Sequence, residues 1–108
     1  MKIEPKIAIA CRDKVEIEVA LQMLERAGIR WYGGSKATQR PNGMHYDECR
    51  LYIYPADSRP YYNHIVYSED VDDFTYDDGD GFEWTYVEAS NMFKNQIISE
   101  RRKNVHRT

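Results

Sequence analysis

The chain has 108 residues, 42% hydrophobic and 31% charged, with 15 Lys and Arg against 18 Asp and Glu. That length and balance fit one folded domain with a modest core and exclude a chain that is disordered throughout. No run approaches the roughly 20 apolar residues that span a bilayer, and Met1 to Pro5 leads into no signal-peptide core, so a cytoplasmic protein is expected.

Lys6 to Cys11 (KIAIAC) alternates and predicts a first strand with Ile7 and Ile9 on one face. A helix follows at once. Asp13 is a good N-cap, Glu16 completes a capping box, and Gly28 supplies a left-handed stop. Ile17, Ala20, Leu21, Leu24 and Ala27 form one apolar stripe, so this helix is expected to lie flat on a sheet. Ile29 to Tyr32 predicts a short second strand ended by Gly33-Gly34. Residues 35–48 carry Pro41, Asn42 and Gly43 without an apolar period and predict a long, mobile loop.

Cys49 to Tyr54 (CRLYIY) is an alternating strand with Cys49, Leu51 and Ile53 inward and Arg50, Tyr52 and Tyr54 outward. Asn63 to Tyr67 predicts another strand. Asp73 to Tyr76 and Glu83 to Glu88 predict a hairpin closed by Asp78-Gly79-Asp80-Gly81. Ser90 is the expected cap of a closing helix that uses Met92, Phe93, Ile97 and Ile98. The expected fold class is α+β, a small mainly antiparallel sheet of four to six strands with one long helix packed on it and a C-terminal helix. It occupies residues 1–99, and residues 100–108 form a basic, frayed tail.

Catalytic signatures are absent: there is no P-loop, no G-x-G-x-x-G and no nucleophile elbow, and His45, His64 and His106 are scattered. The expectation is therefore a protein that is not an enzyme and uses no cofactor. Cys11 and Cys49 fall on strands and are expected as separate reduced core thiols rather than a disulfide or metal pair. Asp78-Gly79-Asp80-Gly81-Phe82 resembles the middle of a calcium loop, but the alignment puts Tyr76 first and Val87 twelfth where carboxylates are required, so no metal site is assigned.

Two constellations remain. Between Pro60 and Phe93 there are nine acids and no Lys or Arg; taking those from the 18 leaves nine acids against 15 bases elsewhere, a balance of +6 beside −9. Glu69, Asp70, Asp72, Asp73, Asp77, Asp78, Asp80 and Glu83 are the candidate partner-binding residues, because carboxylates along a strand can imitate the phosphate spacing of DNA. The other set is Trp31, Tyr32, Arg40, Arg50, Arg59 and Tyr61. There arginine can hold phosphate while an aromatic ring stacks on a base, the minimum equipment of a nucleotide pocket.

Met23-Leu24-Glu25-Arg26-Ala27-Gly28, Ile29-Arg30-Trp31 with Gly34, Cys49-Arg50-Leu51-Tyr52-Ile53, and Tyr86-Val87-Glu88-Ala89 with Phe93 resemble a diffuse group of small bacteriophage and prophage accessory proteins, mostly of unassigned function. The resemblance implies a small α+β protein acting in a bacterial host cell, by analogy against host immunity. Two binding modes follow as expectations. In the preferred one the acidic hairpin region occupies the basic nucleic-acid-binding surface of a host defence protein, as a DNA mimic, and the protein binds no nucleic acid itself. The alternative is a sponge that sequesters a nucleotide second messenger in the arginine and aromatic pocket, possible as a homo-oligomer that encloses the ligand between protomers.

Overall fold

The protein is described here by a computed structural model covering residues 3–41, 43–44, 47–57, 60–69 and 84–103, with 104–105 as backbone. Strands β1 (Ile7–Cys11), β2 (Arg30–Trp31), β3 (Cys49–Tyr54), β4 (His64–Ser68) and β5 (Thr85–Glu88) form one sheet in the order β2-β4-β3-β1-β5. Helix α1 (Lys14–Arg26) connects β1 to β2, and α2 (Ala89–Met92) and α3 (Lys94–Val105) follow β5. β1 with β3 and β3 with β4 are antiparallel, whereas β1 with β5 and β2 with β4 are parallel. The α+β class and the strand number agree with expectation. The sheet is mixed rather than mainly antiparallel, because the chain leaves β1 and β4 through long crossings and returns beside a strand of the same direction.

The local signals for α1 act as its sequence dictates. The Asp13 carboxylate accepts from the Glu16 amide at 2.9 Å, while the Glu16 carboxylate reaches back to the Arg12 amide at 3.0 Å. At the other end Gly28 has φ +79, and the amides of Gly28 and Ile29 return to the carbonyls of Glu25 and Leu24, both at 3.0 Å. This double return is the Schellman stop, which needs a residue free to adopt the left-handed region.

Ile17, Ala20, Leu21 and Leu24 are buried against Ile9, Cys11, Leu51, Ile53 and Ile65 of the sheet. Val19, Met23 and Glu16 are buried too, which makes the covered sector of α1 wider than one stripe because α3 packs beside it. Phe93 and Ile97 complete this core, while Ile98, expected inside, is exposed. Ser90 is not the N-cap of the closing helix: it lies within α2, whose N-cap is Glu88 with no side-chain bond. The chain leaves helical geometry at Phe93 (φ −120, ψ 36), which divides the expected single helix in two.

The closing helix extends past residue 99. α3 runs on through Val105, and the Arg101 guanidinium bonds Asp13 at 2.7 Å and the buried Glu16 at 3.4 Å, fastening its far end to the start of α1. Burial opposes ionisation of Asp13, but the Glu16 amide and Arg101 together outweigh it and hold this carboxyl below its ordinary value.

The second face of the sheet departs most from the sequence pattern. Arg50, Tyr52 and Tyr54, expected outward and solvated, are all buried, as are the inward residues of the same strand. Ala8, Tyr52 and Tyr54 form a second cluster with Val66 and Trp84. Alternation identifies which side chains share a face and says nothing of whether the other face is covered. In the expected hairpin the first arm and the turn lie outside the described residues, and β5 pairs with β1.

Candidate ligand-binding site

The site is built where β2 ends. β2 pairs with β4 for only two residues, Arg30 opposite His64 and Trp31 opposite Ile65. The chain then reverses: the Gly34 amide donates to the Trp31 carbonyl at 2.8 Å, the Trp31 amide to the Ser35 carbonyl at 3.0 Å, and Lys36 forms a bridge with Arg30. Gly34 has φ +95, and a Cβ there would lie 3.3 Å from the Tyr62 hydroxyl, which itself donates to the Tyr32 carbonyl at 3.1 Å. The backbone angle favours glycine at this point, and a larger residue would also have to push the Tyr62 hydroxyl back by a few tenths of an ångström.

The segment after the turn is fixed rather than loose. The Trp31 indole N–H donates to the Ala37 carbonyl at 2.9 Å, and Ala37 and Met44 are buried. Thr38 donates through its amide and hydroxyl to Glu25 of α1 at 3.2 and 2.6 Å. Those two bonds favour the ionised form and hold the Glu25 carboxyl below its ordinary value. The mobile loop expected at residues 35–48 is thus tethered over its first part; Asn42, His45 and Tyr46 lie outside the described residues.

Two adjoining cavities open here. One of about 260 Å³ is lined by Trp31, Tyr32, Gly33, Pro41, Ile65, Val66 and Tyr67. The other, of about 440 Å³, is lined by Trp31, Gly33, Ser35, Gln39, Arg40 and Pro41. Trp31, Gly33 and Pro41 belong to both walls, so an aromatic hollow adjoins a second one bearing a guanidinium, an amide and a hydroxyl. Trp31 meets Tyr67 edge to face at 6.0 Å, and Tyr32 meets His64 at 5.4 Å while remaining 62% exposed. Trp31 is itself buried in the main core, whereas the exposed Tyr32 ring leaves a π-face available to a planar partner.

Of the six residues expected in a nucleotide pocket, the structure brings Trp31, Tyr32 and Arg40 together. Arg50 does not join them. It is 1% exposed on the second sheet face, its guanidinium 4.9 Å from the Tyr86 ring, beside a separate hollow of about 210 Å³ with Ala10, Arg12 and Glu88. Tyr61 is 80% exposed and lines neither cavity, and Arg59 lies outside the described residues. Pattern reading missed Tyr67, Gln39 and Pro41. The parallel pairing of β2 with β4 brings Tyr67 to Trp31, and no local signal announces it.

Among the acidic candidates Glu69 is exposed just beyond β4, and Asp70, Asp72, Asp73, Asp77, Asp78, Asp80 and Glu83 lie outside the described residues. The calcium-like run lies there as well. Among the described residues no cluster of three or more His, Cys, Asp or Glu could hold a metal, and no helix is long and apolar enough to cross a membrane.

Cys11 and Cys49 are buried, unbonded thiols on strands as expected, and they stand directly opposite one another across β1 and β3. A hydrogen bond with Cys49, then burial, pushes the Cys11 thiol well above its ordinary value, which makes it a poor nucleophile and metal ligand. Of the sites read from the sequence, the cleft beside β2 is the one whose described residues the structure brings into neighbouring hollows. No family model, curated protein or solved structure matches the chain.

Proposed function

We propose that the chain is a non-enzymatic binding protein whose cleft at the end of β2 sequesters a planar, anionic ligand of the nucleotide class. The observation that carries this reading is that an aromatic hollow lies directly beside one bearing Arg40, the two sharing Trp31, Gly33 and Pro41 in their walls. A base would enter the apolar chamber, and its phosphate would reach the guanidinium, which binds such oxygens in a fixed fork. The bonds that fix the turn and tether Thr38 lower the ordering cost of binding.

Calorimetry against cyclic dinucleotides, cyclic trinucleotides and ADP-ribose tests the reading, with Arg40, Arg50 and Arg59 replaced singly by Ala. Micromolar binding is expected for at least one compound. Arg40→Ala should weaken it about tenfold or more, the loss of a charge-assisted contact, while Arg50→Ala should leave the affinity unchanged. Absence of binding across the panel removes the proposal.

The acidic stretch supports a second mode, a phage-type counter-defence role against the basic nucleic-acid-binding groove of a bacterial defence protein. Its support is the run of nine acids without a base, which begins at the exposed Glu69. Capture of such a protein should weaken as salt rises, duplex DNA should compete, and joint replacement of Asp70, Asp72, Asp77 and Asp80 by Asn should abolish it. Undiminished capture by the neutralised protein removes this mode.

A further inference from the structure

We infer that the backbone of β4 at Tyr67 reads the base of the bound nucleotide, so that the cleft selects a nucleobase presenting a donor beside an acceptor on one edge. The inference rests on the nucleotide reading of the cleft and adds the contact that would choose the ligand. Backbone groups along a strand point alternately to its two neighbours. The Arg30 amide donates to the Asn63 carbonyl at 3.4 Å, so the odd-numbered residues of this stretch turn their N–H and C=O toward β2. β2 reaches only Ile65 before the chain reverses at Gly33 and Gly34, and Tyr67 is the next odd residue of β4. Its outward N–H and C=O thus fall beyond the end of β2, and among the described residues no strand pairs with that edge.

This edge borders the aromatic chamber, whose wall includes Ile65, Val66, Tyr67 and Trp31. In an apolar setting a backbone donor and acceptor gain from a matched partner and penalise an unmatched one, so they discriminate more strongly than stacking does. A peptide strand is the poorer occupant. Strand addition draws on a row of main-chain bonds, whereas a single outward residue before the end of β4 supplies two, and the Gly33-Gly34 turn bounds the chamber. A base offers a matching pair on its Watson–Crick edge and a flat face to the exposed Tyr32 ring, with the edge of Trp31 as the chamber wall.

Amide correlation spectra of the full chain, recorded with cyclic dinucleotides, cyclic trinucleotides and ADP-ribose and with each compound's analogue methylated on the Watson–Crick edge, test this. The Tyr67 amide is expected to shift on binding, and the methylated analogue to bind about tenfold or more weakly. A nucleotide that loses affinity with Arg40→Ala, yet tolerates edge methylation and leaves the Tyr67 amide unmoved, overturns the inference and keeps the proposed function. Failure of every compound to bind overturns both. Single-stranded oligonucleotides form the last arm: a Tyr67 shift with these and not with free nucleotides overturns the assignment to a small ligand.

Discussion

Trp84 and Trp31 each stand in an aromatic cluster on this sheet, and the clusters differ in how far their own side chains fill them. Around Trp84 the rings close on one another: Tyr52 and Tyr54 meet it edge to face at 4.9 and 5.0 Å, and Tyr54 stacks on His64 at 5.3 Å. Tyr52 is fully buried there. Trp31 meets one ring among the described residues, Tyr67 at 6.0 Å, while Tyr32 stands exposed and two cavities remain. Composition alone does not separate them, since both offer tyrosine beside an arginine. What separates them is where β2 stops: a sheet continued past Trp31 would have filled the second cluster as it fills the first. The closed cluster should govern stability and the open one binding.

The sharpest contrast comes from the closed side. Tyr52→Ala should cost about 3 to 5 kcal/mol in chemical denaturation, as truncation of large buried rings does, and leave nucleotide affinity unchanged in whatever fraction stays folded. Gly34→Ala couples the two properties. Its positive φ and the 3.3 Å approach to Tyr62 should cost about 1 kcal/mol or more, and the displaced turn should also weaken binding in calorimetry.

Asp13→Ala lies far from both clusters and should cost about 1 kcal/mol through the lost cap, with affinity unchanged. The Asp13 carboxyl titrates below its ordinary 3.8 in the folded state, so its contribution is present above that value and is lost as pH falls through the lowered one. Denaturation of wild type and variant should therefore converge in acid. The smallest stability effect belongs to Tyr32→Ala, within about 0.5 kcal/mol because the ring is exposed, yet that variant should bind nucleotide more weakly.

Legibility followed the range of each interaction. Asp13, Glu16 and Gly28 mark the ends of α1 through neighbours in the chain, and the period of β1, α1 and β3 sorts their helix-facing residues correctly. Arg50, Tyr52 and Tyr54 were legible as sharing a face but not as buried, since burial depends on what lies over them. Trp31, Tyr32 and Arg40 are near in sequence, and the two hollows that share Trp31 take Tyr32 in one and Arg40 in the other. Residue type groups Arg50 with them, although β4 stands between β3 and β2 and Arg50 lies on the other face of the sheet. Tyr67 was invisible to pattern reading because its place in the cleft depends on a parallel pairing set by the path of the crossover.

The two tryptophans allow the central claim to be tested in one titration. Trp84→Phe leaves Trp31 as the sole indole, and its emission should change saturably at the same micromolar nucleotide concentrations that calorimetry gives for the wild type. The converse variant, Trp31→Phe, should report no change from Trp84. Binding by Trp84→Phe in the calorimeter without any response of Trp31 emission, or a response that follows Trp84 instead, would place the ligand away from the end of β2 and contradict the account.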